Sequence, residues 1–391
     1  MTIATTPIWV DTQAELESLC ARWQQQAAIA IDTEFMRSQT YYPHAGLIQV
    51  GDGQGCYLID PLAIDDLSAL ATLMTHPGTV KVIHSCSEDL EVFRYLLDVV
   101  PKPMFDTQIA AAFANFGFSQ GYAALIQQLL SVGLEKGETR SDWMQRPLSQ
   151  SQLHYAALDV AYLLVAYGKI LAELKALGRL EWVREECAIL VAAAEQPTEF
   201  DDAYTKIKLA WKLYPDQLAI LRDVCVWRER TARELDIPRN RLMKEGAAWE
   251  LARRKPTSAK QLANIEGMGS RALREYSDTL LALIAKAEAN GLPDRMPKPF
   301  TPRQGEVLKR FKAIAQSVSD AQRITPEILT RKKDLEALAR SVLAGQPQLP
   351  DSFTGWRYPI IGELLHSEAQ ALVPEYAPDY APEDQQETPH V

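Results

Sequence analysis

"IAIDTEFMRS", residues 29–38, is the kind of apolar run that buries itself in a sheet, yet it carries Asp32 and Glu34 two positions apart. Successive side chains of a strand point to opposite faces, so the two carboxylates share one face while Ile31 and Thr33 take the other. Carboxylates held that close raise each other's pKa unless positive charge lies between them, and a hard divalent cation such as Mg²⁺ supplies it. The alternative is a strand that stops at Ile31 and runs into a solvated acidic loop. A two-residue motif does not decide between these readings, so partners elsewhere in the chain must.

Downstream, "LIQVGD" (47–52) and "CYLID" (56–60) are short β-type runs separated by "GQG", which predicts a hairpin. Together with the first strand they form an antiparallel three-stranded start. A helical stretch around residues 65–76 precedes the strand "VKVIHS" (80–85). In "SEDLEVFRYLLDVV" (87–100), Leu90, Phe93 and Leu97 recur at helical spacing behind a Ser87 cap. Antiparallel strands followed by alternating helix and strand predict a mixed α/β sheet. From about Tyr122 the pattern is helical, and no strand signal follows residue 107. Residues 148–177 read as one long helix that starts at "PLS" and is interrupted at Gly168.

The chain has 391 residues, too many for one ordinary core, and 47% of them are hydrophobic. The expected division is an α/β domain over 1–195, a linker near 192–206, all-α helical units over 206–290 and 298–370, and a disordered acidic tail over 371–391. "PEYAPDYAPEDQQETPHV" (374–391) is proline-rich and acidic with no Lys or Arg, too little apolar surface to order itself. The five cysteines stand singly, which suggests neither a disulfide framework nor a zinc site. No basic segment followed by an apolar core opens the chain and no uninterrupted apolar stretch approaches membrane length, so a cytoplasmic protein is expected. A net charge of −10 argues against a protein that simply coats nucleic acid. Between Tyr204 and Lys255, however, 13 Lys and Arg face 7 Asp and Glu, a local +6.

Two further acids stand out. Asp89 lies in the first turn of the helix after "VKVIHS", at the carboxyl edge of an open sheet, where functional groups collect and where helix-dipole acids also sit. Asp159 interrupts the apolar helix "HYAALDVAYLL" with Tyr155 one turn earlier on the same face, and a lone buried Asp needs a partner or a metal.

"IDTEFMR", "VIHSCSEDLEVF" and "HYAALDV", with "FDTQIAA" (105–111) and "TRSDWMQRPLS" (139–149), resemble the motifs of ribonuclease D and the wider DEDD exonucleases, in the subgroup with Tyr four residues before the last Asp. The helical half resembles two helicase-and-ribonuclease-D C-terminal (HRDC) modules. "LRDVCVWRERTARELDIPRNRLM" and "PTSAKQLANIEGMGSRALREY" carry the first; "KKDLEALARSVLAG" and "GWRYPIIGELL" carry the second more faintly. The resemblance implies a ribonuclease-H-like α/β catalytic domain followed by two HRDC-like bundles. It implies that Asp32, Glu34, Asp89 and Asp159 hold two Mg²⁺ or Mn²⁺ ions and that Tyr155 orients the attacking water. The activity implied is 3′-to-5′ exoribonuclease, releasing nucleoside 5′-monophosphates from tRNA precursors with 3′ trailers and other small structured RNAs, with no obligate protein partner and no membrane. A DNA exonuclease using the same site and a non-catalytic RNA-tethering protein are the alternatives.

Candidate RNA contacts are Phe35, which either stacks a base or fills the core, and Arg140, Trp143 and Arg146, suited to phosphate contact and stacking unless the loop is pinned by a buried Trp. Arg228, Arg233, Arg239 and Arg241 coincide with the local positive charge; a solvated helix face is their plainer reading. "IEGMGSRALREY" reads either as a phosphate-binding turn or as a plain helix connection. His84 is expected to be a satisfied structural histidine rather than a base, and Asp106 a turn or cap residue.

Overall fold

The computed structural model describes residues 3–134, 137–138, 141–197 and 199–377. Arg140 and the tail beyond residue 377 lie outside the described residues. β1 (Pro7–Val10) and α1 (Gln13–Trp23) lead into β2 (Ala28–Met36), β3 (His44–Gly51) and β4 (Cys56–Ile59). α2 (Ser68–Thr75), β5 (Val80–Ile83), α3 (Ser87–Leu97), β6 (Met104–Asp106), α4 (Thr107–Phe113) and α5 (Tyr122–Leu130) follow. The strands form one six-stranded sheet in the order β1-β4-β3-β2-β5-β6. β2, β3 and β4 are antiparallel as expected, whereas β1 joins β4, and β5 and β6 extend from β2, all in parallel. β1 was not anticipated, because four residues are too few to show a period.

The two faces of this ribonuclease-H-like sheet differ. Ile29 and Ile31 of β2 join a large core with Leu16, Trp23, Leu70 and Phe93 from α1, α2 and α3. Ala30 and Val82 pack on the other side against Ala157 and Val160. The latter residues belong to α6 (Gln150–Ala161), which is followed by α7 (Leu163–Ala176) and α8 (Leu180–Glu195). The sheet approaches α6 too closely for a side chain at Gly51, where a Cβ would sit 2.8 Å from the Val160 carbonyl oxygen, and approaches the loop before α6 too closely for one at Gly46, where it would sit 2.5 Å from the Trp143 carbonyl oxygen.

Three local expectations change. The helix expected over 148–177 is two helices that break at Tyr162, and Gly168 lies inside α7 with open space around it. A lone glycine costs only about 1 kcal/mol relative to Ala, too little to interrupt a helix packed on a sheet. Ser87 is the first residue of α3 rather than its cap; Cys86 holds that position. The carboxylate of Asp106 accepts the N–H groups of Ser85 (3.2 Å) and Cys86 (2.8 Å) at the start of α3. Finally, residues 371–376, expected to lie in the disordered tail, are the end of a helix.

α9 (Pro215–Glu234), α10 (Arg239–Leu242), α11 (Glu245–Arg254), α12 (Ala259–Ala263) and α13 (Ser270–Lys286) enclose a core of their own, including Leu218, Leu221, Val224, Leu251 and Leu280. α14 (Pro302–Gln322), α15 (Pro326–Leu329), α16 (Lys332–Leu343) and α17 (Glu363–Tyr376) behave differently. Their buried Val307, Phe311, Leu338 and Leu365 belong to the same cluster as the main face of the sheet. Trp356 stacks on Trp182 of α8 at 5.0 Å, and its indole N–H and the Arg357 guanidinium both bond Glu186 of α8.

Candidate active site

β2 carries Asp32 and Glu34 on the face that α6 covers, and α6 brings Asp159 over them with Tyr155 one turn before it. One oxygen each of Asp32, Glu34 and Asp159 lies within 4.8 Å of the others. Asp89, buried in the first turn of α3, arrives from the opposite face of the sheet, and one of its oxygens accepts the Thr33 hydroxyl. The structure therefore gathers four acids that are up to 127 positions apart in the chain, the separation of Asp32 and Asp159 (159 − 32). Among the described residues none of the four is ion-paired.

That arrangement is electrostatically uncomfortable. Burial first, then repulsion from Asp159, Asp89 and Glu34, holds the Asp32 carboxyl well above its usual range. Burial, then Asp159 and Asp89, pushes Glu34 up to about 9. Burial raises Asp89 to about 7 against the opposing Thr33 hydrogen bond, and burial with Asp89 raises Asp159 to about 7. Tyr155 is likewise raised, by burial and then by Asp159, Glu34 and Asp32, so its hydroxyl keeps its proton at neutral pH. An all-oxygen donor set with excess negative charge suits a hard divalent cation.

Two side chains of the loop ahead of α6 turn into the protein beside this cluster. Trp143 is 2% exposed, so it does not stack an RNA base from this position. Its ring lies 6.2 Å from that of Tyr155 and covers Leu47 and Leu58. Arg146 grips Asp60 with two nitrogens and donates to the Gly46 (2.7 Å), Trp143 (3.0 Å) and Gln145 (2.8 Å) carbonyls, which occupies all five of its N–H donors. In the helical half, Arg228 is buried at 3% exposure. Arg233 donates to the Tyr41 hydroxyl at 3.0 Å and lies over the Phe200 ring, and Arg239 pairs with Glu229. These five side chains hold the protein together. Arg241 is exposed on α10, Phe35 remains half-exposed at the β-bulge beside Glu34, and Arg140 lies outside the described residues.

His84 is the structural histidine expected. Its ring nitrogens meet Thr107 Oγ1 at 2.9 Å and the Gln120 carbonyl at 3.0 Å, and burial lowers its pKa. Asp106 caps α4 through Gln108 and Ile109. Sequence reasoning missed Thr33, whose place on the opposite face from Asp32 was visible but whose bond to Asp89 was not. It also missed Asp236, which accepts the N–H groups of Tyr41 and Tyr42, each at 2.9 Å, and meets His44 at 2.6 Å, docking the first helical unit on the loop that follows β2.

A ribonuclease-H-like sheet with a carboxylate cluster beside a tyrosine at its carboxyl edge suits metal-assisted hydrolysis of a phosphodiester, and the 3′-5′ exonuclease family matches residues 7–175. The HRDC domain family matches residues 217–284. Ribonuclease D of Pseudomonas paraeruginosa is 44% identical over 91% of this chain and 96% of its own length, and that of Escherichia coli K12 is 38% identical over 92% and 97%. The chain belongs to the ribonuclease D family and is a hydrolytic 3′-to-5′ exoribonuclease. The crystal structure of Escherichia coli RNase D, described as an exoribonuclease involved in structured RNA processing, superposes with a TM-score of 0.87 at 37% identity over 94% of this chain and 99% of that one. The catalytic core of RRP6 from Trypanosoma brucei gives 0.57 at 25% identity, covering 73% and 80%.

Proposed function

We propose that Asp32, Glu34, Asp89 and Asp159 hold two divalent cations, Mg²⁺ or Mn²⁺, and that Tyr155 orients the water that attacks the terminal phosphodiester. The observation that carries this reading is the close meeting of three carboxylates with, among the described residues, no ion-pair partner to neutralise them. When bound, such ions supply an activated water and stabilise the departing 3′ oxygen. Tyr155, protonated and one turn from Asp159, donates or accepts a hydrogen bond that fixes the direction of attack. Asp89, tied to Thr33 through one oxygen, keeps the other for the site. Phe35 at the bulge stacks the terminal base, and Arg241 contacts phosphate farther along the RNA. The substrates are tRNA precursors with 3′ trailers and other small structured RNAs, and the products are nucleoside 5′-monophosphates. The enzyme works in the cytoplasm. Gln150–Ala176 is apolar and long enough to cross a membrane, but it comprises α6 and α7, both packed on the sheet.

The test is one reaction run several ways: 5′-labelled tRNA precursor with an unpaired 3′ tail, with Mg²⁺, Mn²⁺ or EDTA, beside Asp89→Asn and a matched DNA. A ladder shortening from the 3′ end that requires metal, disappears in the variant and is weak on DNA is expected. Shortening that survives EDTA or Asp89→Asn would remove the assigned metal site.

A further inference from the structure

Gln49 stands directly opposite Asp32 in the β2–β3 ladder and opposite Leu58 in the β3–β4 ladder, so it shares the face that carries Asp32, Leu47 and Leu58. Trp143 of the loop before α6, together with Ala156 of α6, closes over Leu47 and Leu58. Gln49 is 0% exposed. Among the described residues, neither its amide oxygen nor its amide nitrogen has a hydrogen-bond partner, and the Trp143 indole nitrogen has none either. Burying a primary amide with both ends idle is costly, and in a layer of Leu, Trp and Ala an apolar side chain of the same shape avoids that cost. The position calls for a polar role.

The idle atoms match one another. Trp143 Nε1–H only donates, Gln49 Oε1 only accepts, Gln49 Nε2 only donates, and the ionised Asp32 carboxylate only accepts. We propose that Gln49 is a positioning residue for the reaction. In this chain of hydrogen bonds Trp143 Nε1–H donates towards Gln49 Oε1, and Gln49 Nε2–H donates towards the inner oxygen of Asp32, closed by a buried water where a gap is too long for a direct bond. The amide thereby fixes the carboxylate's rotation and leaves its outer oxygen for the cation, as partners behind metal ligands do elsewhere. This rests on the proposed role of Asp32 as a ligand.

The experiment measures Mn²⁺ binding to the full-length protein without substrate, by calorimetry, for the wild type, Asp32→Asn, Gln49→Met, Trp143→Phe and the Gln49→Met/Trp143→Phe double variant, with thermal midpoints and kcat and KM alongside. Gln49→Met keeps the length of the side chain and removes both polar ends; Trp143→Phe keeps a ring and removes the N–H. Gln49→Met is expected to fold with a near wild-type midpoint, to bind Mn²⁺ about 10–100-fold more weakly, and to lose kcat while KM for RNA holds. Trp143→Phe loses less, and the double variant loses no more than Gln49→Met alone, because the chain is already cut. Mn²⁺ affinity within twofold of wild type in a folded Gln49→Met overturns the proposal whatever happens to the midpoint. If Gln49→Met does not fold, unchanged affinity in Trp143→Phe overturns it instead. If the wild type and Asp32→Asn bind Mn²⁺ equally, the ligand role of Asp32 itself falls, and this proposal with it.

Discussion

At Asp32, Glu34, Asp89 and Asp159 the folded state holds protons that the unfolded chain, with ordinary carboxyl values near 4, has already released. Their folded values are raised, to about 7 for Asp89 and Asp159 and about 9 for Glu34, so the unfolded state binds fewer protons across that range. Stability of the metal-free protein therefore falls as pH rises from about 4 through about 9. Thermal midpoints in EDTA should decline across that window and the decline should flatten with Mn²⁺, since the cation takes the place of the protons. An identical slope in the Glu34→Gln/Asp159→Asn double variant would show that other groups are responsible. Tyr155 permits a cleaner separation of roles. Tyr155→Phe keeps the ring against Trp143 and removes only the hydroxyl. It should cut kcat about 10²–10⁴-fold with KM and thermal midpoint near wild type; a kcat within threefold would remove Tyr155 from the chemistry. Asp32, Glu34 and Asp159 were legible in the sequence because a charged residue in an apolar run stands out by itself, whereas Asp89 was singled out by its place at the start of a helix and by the family resemblance. The roles of Trp143 and Arg146 were not, because a Trp and an Arg in a loop read alike whether they face solvent or Asp60.

α6 is the element on which the site depends, since it delivers both Tyr155 and Asp159 to a sheet whose glycines allow a close approach. Gly51→Val would place a Cβ 2.8 Å from the Val160 carbonyl oxygen, with further methyl groups beyond it. Overpacking of this kind costs about 1–3 kcal/mol, and displacement of Asp159 should lower kcat/KM by more than the stability loss explains. Gly168→Ala is the matched control. Nothing lies within 4 Å of that position in α7, and the substitution should raise stability by about 0.5–1 kcal/mol without touching activity. Comparing thermal midpoints and kcat/KM of the pair checks both statements. The helical periodicity of this region was plain in the sequence, but the break at Tyr162 was not. Helix ends inside a packed layer are set by what the neighbouring strands accommodate, and the sequence pattern continues across them.

Across the whole molecule the two helical units are attached by different physics. The first encloses its own core and meets the catalytic domain through a small apolar cluster of Tyr41 with Ala232 and Leu242, bordered by a polar latch of Asp236 with Tyr41, Tyr42 and His44 and of Arg233 with Tyr41. The second shares the core of the sheet itself. Asp236→Ala leaves two backbone N–H groups without their acceptor, a loss of about 1–3 kcal/mol. It should undock the first unit without unfolding it, seen as faster proteolysis between residues 196 and 214 and as a larger loss of activity on structured RNA than on a short oligonucleotide. Trp356→Ala, in contrast, should lower the global thermal midpoint. Equal protease sensitivity in wild type and Asp236→Ala would show that the latch is dispensable. By itself the sequence picked out the four candidate acids, their order, the strand alternation that pairs Asp32 with Glu34 and the helical character of the carboxyl-terminal half, because each of these is written within a few consecutive residues. Only the tertiary structure decided that Arg233 meets Tyr41 and Arg239 meets Glu229, that the last helices share the catalytic core and that Asp89 reaches the site from the opposite face of the sheet. A guanidinium or carboxylate takes whichever partner the fold brings near, and for Arg233 that partner is Tyr41, 192 positions away.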